Sequence, residues 1–451
     1  MATVFRVPRV ERLLGCALDV ADEESLRGLC AGRVREDSDL EFKRDLYGGS
    51  DADKRALAGD IAAIANITSG VLIIGIEEDD GAAAGLSPVP VNDDEARRLR
   101  QTIVSGVAPS LAFSIWMVPS AADPTLGYYL IAVPRSPDAP HAVRVADGLR
   151  YPRRHGNVIR YLSESEVADA YRDRFRSATS RVDRVGEVYR EGREQLKPVD
   201  DGVWLAVAVV PAVPGIFEVC QRTMKVVKDA WVRRWDGGFG RNVVAGWYAV
   251  SSGVRRVIVS GDASPDGRSG YGHIELHSDG SAFAARVVWG GTPQGWDAPG
   301  VQGIDDELLL DAALSVIGAA VDHAVTYASG GDALLRLSLV GLPQDGVALV
   351  HHRRHGMPRQ CTGTRVLHRS LLGDHTIAIA DVSGSPREFL LAVRAALNDV
   401  FQGFGLPEAP QITETGEVRL GFISHTNRAA VLKWAEDTGV EVVQTAPDQG
   451  V

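Results

Sequence analysis

The clearest periodic pattern in the chain is a short alternation of apolar and charged residues near its start. Leu40 and Phe42 alternate with Glu41 and Lys43. On a β-strand, successive side chains point to opposite faces, so the apolar pair enters a core and the charged pair shares the other face. The pattern therefore predicts a strand that presents a glutamate and a lysine together.

The segments that follow alternate between helical and strand patterns. Residues 53–66 carry apolar side chains at helical spacing. Residues 71–76 are apolar at every position, which is typical of a strand covered on both faces. A capping box at residues 163–166 begins a further predicted helix, residues 163–176.

These patterns predict a mixed α/β (α+β) protein with more than one domain, since 451 residues exceed one ordinary core. Residues 1–21 are assigned to an N-terminal extension and residues 22–178 to a first domain. Residues 179–201 are charged and lack a firm apolar stripe, so they predict a linker or a solvated helix. Residues 202–451 predict a C-terminal α/β domain of unknown role.

Composition favours a soluble, cytoplasmic protein. The first residues lack the apolar run of a signal peptide, and no stretch reaches the roughly 18 to 20 apolar residues that would span a membrane. The net charge of -11 argues against a surface coated in nucleic acid, although it leaves room for a local basic groove. The four cysteines show no spacing typical of zinc or disulfide frameworks.

The acids around the first strand are candidates for a metal-assisted nuclease site. Glu36 and Glu41 precede Lys43, and a further acidic run occupies residues 77–80. Mg²⁺ or Mn²⁺ prefers carboxylate oxygens and could activate water against a phosphodiester. Lysine is rare here, six residues against 42 arginines, which favours a specific role for Lys43. The alternative is an amphipathic edge and a solvated turn.

Two basic segments are further candidates. Twelve arginines against eight acids make residues 144–193 net positive, and phosphate-contacting arginines are expected within them. Those proposed to hold a nucleic-acid backbone are Arg150, Arg153, Arg154 and Arg160. A helix would place His351 and His355 on one face as metal ligands, but Gly356 and Pro358 oppose a helix and favour a basic loop.

Taken in order, several short motifs resemble the Schlafen AlbA-like domain family over roughly residues 20–178. They are Glu36, Leu40-Glu41-Phe42-Lys43, Ala65-Asn66, Gly70-Val71-Leu72-Ile73-Ile74-Gly75-Ile76 with the acidic turn after it, Pro109, Val133-Pro134 with Ser136, and Tyr151-Pro152-Arg153 before Gly156. Each motif is weak alone, and their order makes the combination specific.

The resemblance implies a site of two glutamates and an aspartate that cleaves transfer and ribosomal RNA with a divalent metal. Carried over, the metal ligands are Glu36, Glu41 and Glu78, and Lys43 contacts the phosphate or the attacking water. The family's aspartate falls on a glutamate here, so either Glu78 or Asp79 is the third acid, or the site is degenerate.

The resemblance also implies RNA rather than DNA as partner and a role in antiviral or stress defence. Animal relatives carry two such lobes with zinc-binding residues, whereas one lobe and no zinc pattern occur here, which predicts a homodimer. The competing hypothesis is a regulator that binds DNA or RNA without cutting it. A third is an interaction protein whose first domain is a vestigial scaffold.

Overall fold

The structure is a computed structural model that describes residues 7–145, 148–155, 158–199, 202–215, 217–234, 239–240, 243, 248–261, 272–291, 300–327, 331–351, 360–361 and 363–444. Helices and strands occur throughout, which confirms the mixed α/β class. The chain divides into two compact units, of which the first runs to Ser180 and the second begins at Arg181.

The first unit contains helices on both sides of a small central sheet. Its helices are α1 Pro8–Leu14, α2 Glu23–Ala31, α3 Asp51–Ala65, α4 Asp93–Gly106 and the start of α5 Glu164–Glu194. Its strands are β1 Leu40–Lys43, β2 Gly70–Ile74, β3 Ile76–Asp79, β4 Ala82–Leu86, β5 Val89–Pro90, β6 Val107–Ala108, β7 Ser114–Pro119, β8 Leu126–Val133, β9 Ala142–Val145, β10 Gly148–Arg150, β11 Pro152–His155 and β12 Val158–Tyr161.

The central sheet has the order β1-β2-β8-β5, and β7 also pairs with β8. β1 lies at its edge and runs parallel to β2. One face packs against α1 and α2 and the other against α3 and α4. Every residue of β2 is buried, so the prediction of a strand covered on both faces is confirmed.

Two predicted boundaries differ from the structure. Val10 of α1 is fully buried in the core of the first unit, so residues 7–21 are part of that unit rather than an extension. Residues 179–201 were predicted as a linker or a solvated helix, and helix α5 continues through most of them to Glu194. Val185, Val188 and Tyr189 form a buried stripe in its second half, which explains why the helix persists.

The second unit is built on a seven-stranded antiparallel sheet. Its helices are α6 Gln221–Arg234, α7 Asp306–Tyr327, α8 Ile379–Gly384, α9 Pro386–Gly403 and α10 His425–Thr438. Its strands are β13 Val203–Pro211, β14 Tyr248–Gly253, β15 Arg256–Gly261, β16 Gly272–His277, β17 Ala282–Val288, β18 Gly290–Gly291, β19 Gln302–Asp305, β20 Asp332–Val340, β21 Val347–His351, β22 Gln360–Cys361, β23 Gly373–Ala378, β24 Val418–Arg419 and β25 Val442–Val443.

The sheet order is β14-β15-β16-β17-β13-β20-β23, and a second sheet has the order β18-β19-β21-β22. Helix α7 packs on one face of the large sheet, and the second half of α5 packs on the other. By length and composition α7 could cross a membrane, but 72% of its most apolar stretch is buried within the unit. It is therefore the central core helix of this unit.

Candidate nucleic-acid site

Strand β1 places the predicted glutamate and lysine side by side. Leu40 and Phe42 are buried on the face that packs against α1 and α2. The amine of Lys43 pairs with Oε1 of Glu41 on the opposite face. That face is not open as expected, because Glu41 is only 5% exposed. The alternation was predicted correctly, whereas the covering of the glutamate was not.

The second oxygen of Glu41 pairs with the guanidinium of Arg154 on β11. Arg154 is 3% exposed, so it lies inside the unit. This corrects the expectation that Arg154 holds a nucleic-acid backbone at the surface. The physical reason is that a buried carboxylate needs a charged partner, and Arg154 meets that need for Glu41.

The sequence did not predict two residues of this site, Asp60 of α3 and Tyr47. The hydroxyl of Tyr47 donates to Oδ2 of Asp60 at 2.5 Å, and the amine of Lys43 lies 3.9 Å from the same oxygen. Asp60 follows Leu57 by three positions and precedes Ile61, so it borders the apolar face of α3. In the sequence, the signal for Asp60 is its position as an acid at the border of the apolar stripe of α3.

Burial and charge set the protonation of these groups. Burial raises the pKa of Asp60, and the Lys43 amine and the Tyr47 hydroxyl oppose that rise. Burial and the nearby Asp60 raise the pKa of Tyr47 well above its ordinary value. Although burial disfavours a charged amine, Asp60 and Glu41 raise the pKa of Lys43. Lys43 therefore remains a cation at neutral pH.

Glu36 lies along the free edge of β1. Its Oε1 accepts the backbone N–H of Phe42 at 2.8 Å, a donor that does not bond to β2. Burial, opposed by this hydrogen bond and reinforced by the charges of Glu41 and Glu78, raises the pKa of Glu36 to about 7. A carboxyl that titrates near neutrality, next to other acids, is typical of functional sites.

Of the two candidates for the third acid, Glu78 is the one coupled to this cluster. Both Glu78 and Asp79 are exposed on β3. Glu78 is close enough to raise the pKa of Glu36. Asp79 instead pairs with Arg33 at 2.8 Å. The charge of Glu78 therefore acts on Glu36, whereas that of Asp79 is paired with Arg33.

The carboxylates fit a divalent cation in chemistry but only partly in arrangement. Within the described residues, Glu36, Glu41 and Glu78 do not bring three oxygens within 4.8 Å of one another. Both oxygens of Glu41 face protein cations. The oxygens of Glu36 are in no ion pair among the described residues, and the charge of Glu78 outweighs that of Lys43 at this carboxyl. Glu36 and Glu78 are therefore the residues suited to hold Mg²⁺ or Mn²⁺, which needs only one or two carboxylates besides water and phosphate.

The other three predicted arginines lie at exposed positions of β10, β11 and β12. Arg153 and Arg160 are exposed and directly opposite each other in the β11–β12 hairpin. Arg160 also pairs with Glu166, at 2.8 and 2.5 Å. The guanidinium of Arg150 lies 5.9 Å from the ring centre of Tyr161, which is 48% exposed. Exposed arginines beside an aromatic ring suit contacts with phosphates and bases.

Residues 36–168 match the family model described as Schlafen, AlbA_2. The first unit therefore contains a Schlafen AlbA-like domain, as the motifs predicted, and this family indicates a nucleic-acid-related function. The match spans both the acidic cluster and the arginine hairpin.

Among solved structures, the chain is similar to the DIP2311 protein from Corynebacterium diphtheriae. Sequence identity is 19%, the TM-score is 0.24, and the similarity covers 37% of this chain and 29% of that one. The chain thus matches less than a third of the length of that protein. The comparison with curated proteins found no match.

Proposed function

We propose that the first unit is a metal-dependent endoribonuclease domain that acts on structured RNA such as transfer or ribosomal RNA. The observation that carries this proposal is the acidic cluster at β1, where the Phe42 N–H holds Glu36 and the Lys43 amine pairs with Glu41. Glu78 adds a further negative charge to this cluster. A surplus of carboxylates next to a cation suits the cleavage of a phosphodiester. The Schlafen AlbA_2 match supports the same assignment.

Each residue then has a stated role. Glu36 and Glu78 would hold Mg²⁺ or Mn²⁺, which would supply positive charge and a bound water. Without a metal the pKa of Glu36 is about 7, so binding of the cation by Glu36 would release a proton near neutral pH. Lys43 neutralises charge on the phosphate, and Glu41 orients Lys43 through their ion pair. Asp79 remains outside this mechanism, bound to Arg33.

Substrate contact is assigned to the exposed arginines. Arg150, Arg153 and Arg160 contact the phosphate backbone, and Tyr161 offers a ring on which an unpaired base can stack. Arg154 is excluded from this role by its burial against Glu41. A single lobe provides only half of a groove in this proposal, so the active form is a homodimer.

A non-catalytic nucleic-acid-binding regulator is the alternative, and one observation favours it. Glu41 is saturated by Lys43 and Arg154, an arrangement that also serves as a purely structural ion pair. Such a domain would keep the exposed arginines and bind RNA or DNA without cutting it.

The two functions separate in one experiment with the full chain. Total transfer RNA is incubated with wild type, Glu36→Gln and Asp79→Asn, with Mn²⁺ or with chelator, and binding is measured in parallel. The nuclease predicts discrete fragments from wild type and Asp79→Asn in Mn²⁺ and none from Glu36→Gln, with equal binding by all three. Binding without fragments in any sample supports the regulator.

A further inference from the structure

A second cluster of potential metal ligands lies in the second unit, where two strands end. β19 and β21 run parallel, so their carboxyl ends lie at the same edge of the small sheet. β21 ends at His351, and α7 begins at Asp306 and Glu307 directly after β19. One ligand atom from each of these three side chains lies within 4.8 Å of the others. The carboxyl ends of parallel strands are common ligand sites in α/β sheets.

Asp306 and His351 form the inner pair of this cluster. Nδ1 of His351 lies 2.9 Å and 3.0 Å from the two carboxylate oxygens of Asp306. Asp306 is only 3% exposed. A carboxylate can accept about four hydrogen bonds. Within the described part of the chain, the His351 ring is its one hydrogen-bond donor. A buried carboxylate is stabilised by positive charge, which a protonated His351 or a cation bound by both side chains supplies.

Glu307 completes the cluster and is held in place from outside. Its oxygens accept the backbone N–H of Ser424 at 2.6 Å, the hydroxyl of Ser424 at 2.9 Å and the side-chain amide of Asn427 at 2.6 Å. These donors belong to the start of α10 and orient a carboxylate that is 1% exposed. Metal-ligating carboxylates are commonly oriented by such outer hydrogen bonds.

We infer that Asp306, Glu307 and His351 bind a divalent transition-metal ion of the Zn²⁺ class. One imidazole with two carboxylates is a donor set that suits Zn²⁺ and its neighbours, whereas Mg²⁺ favours oxygen alone. The ion would connect β19, β21, α7 and, through Glu307, α10. This site is separate from the acids of the first unit and does not depend on their proposed activity.

A second histidine–carboxylate pair in the same unit serves as a matched control. Nε2 of His375 lies 3.0 Å from Oδ2 of Asp399, nearly the same distance as in the proposed site. Asp399 has a 43% exposed side chain, and among the described residues no third ligand joins this pair. It therefore has the ion pair without the metal site.

The test is a Zn²⁺ titration of the full chain after removal of metal by chelator, followed by isothermal calorimetry and zinc X-ray absorption. Wild type is expected to bind Zn²⁺ with an imidazole in its coordination shell. His351→Gln is expected to weaken binding about 100-fold or more and to lose the imidazole signal. His375→Gln is expected to match wild type.

Equal Zn²⁺ affinity in wild type and His351→Gln, or no Zn²⁺ binding by wild type, overturns the inference. Circular dichroism of the metal-free variants checks the fold. If His351→Gln does not fold, the Zn²⁺ affinity of Asp306→Asn is measured instead. This substitution keeps the shape of the side chain and removes its buried charge. Retained Zn²⁺ affinity in Asp306→Asn then overturns the inference.

Discussion

The two units each bury a glutamate against arginine, and the surroundings of the two glutamates differ. Glu275 of β16 is fully buried, with Arg256 at 3.1 Å, His273 at 3.0 Å and His277 at 3.5 Å. Burial alone would raise the pKa of Glu275. Hydrogen bonds from the two histidines and the charge of Arg256 outweigh burial and lower this pKa to about 2. Every negative charge there has a partner on the protein.

The site in the first unit is organised differently. Glu41 is neutralised by Lys43 and Arg154 in the same way, but it has Glu36 as a further acidic neighbour, with a pKa raised to about 7. The cluster around Glu275 is thus compensated and stabilising, whereas the cluster around Glu36 retains negative charge that a bound cation would relieve. The difference supports the cluster around Glu36, rather than the cluster around Glu275, as a candidate functional site.

The largest expected effect is a loss of stability on removal of the buried charge of Glu275. Glu275→Gln removes the buried carboxylate that pairs with Arg256, although Arg256 keeps Glu191 at 2.6 Å. The loss should lower the free energy of unfolding by about 3 kcal/mol at pH 7, measured by urea denaturation. Because the folded pKa of Glu275 lies below the ordinary value of 4.5, its contribution is complete above that value and disappears as pH falls toward 2. Asp399→Asn, in an exposed pair, should cost at most about 1 kcal/mol. An equal loss in both variants would contradict the comparison.

Arg153 and Arg154 give a matched pair within the first unit. Arg154→Gln leaves the buried carboxylate of Glu41 with the partly exposed Lys43 as its remaining ion-pair partner among the described residues. The free energy of unfolding should therefore fall by about 3 kcal/mol. Arg153→Gln should leave stability within about 0.5 kcal/mol of wild type, because Arg153 is exposed. It should instead weaken RNA binding and reduce the slope of log affinity against log salt by about 1. A larger loss of stability in Arg153→Gln than in Arg154→Gln would refute the buried placement of Arg154.

Glu36 should show the opposite pH dependence to Glu275. Its folded pKa of about 7 exceeds the ordinary 4.5, so the protonated form is favoured in the fold. Its contribution to stability is therefore complete below pH 4.5 and is lost as pH rises through 7. Glu36→Gln should match wild type in urea denaturation at pH 4.5 and be more stable at pH 8. A stability difference independent of pH would show that Glu36 is compensated after all.

The smallest effect concerns the third acid. Glu78→Gln removes one charge that raises the pKa of Glu36, so that pKa should fall, whereas Asp79→Asn should leave it unchanged. Carboxyl NMR titration of ¹³C-labelled protein measures both shifts. A larger change in Asp79→Asn than in Glu78→Gln would transfer the role to Asp79.

The sequence predicted what local patterns control. Alternation at Leu40 and Phe42 determined which face of β1 carries Glu41, and the unbroken apolar run of β2 indicated a central strand. It did not predict that Arg154 reaches Glu41, because 113 positions separate them and only the packing of β11 against α3 brings them together.

The same limit explains the other surprises in the two units. Asp60 enters the first site because α3 packs over the sheet, which a helical pattern alone does not specify. His351 was assigned to a basic loop, yet it ends a strand and contacts Asp306 across 45 positions of sequence. His352 and His355 lie outside the described residues. The sequence therefore predicted the types of helices and strands better than the contacts between distant segments.

The most direct test of the nuclease assignment is the single-turnover cleavage rate of labelled transfer RNA by wild type, Glu36→Gln and Asp79→Asn in Mn²⁺ at pH 7.5. Loss of a metal-binding carboxylate should reduce the rate of Glu36→Gln about 100-fold or more, while Asp79→Asn stays within about twofold of wild type. Equal rates for wild type and Glu36→Gln, or no cleavage by wild type, would contradict the assignment of this cluster as a nuclease site.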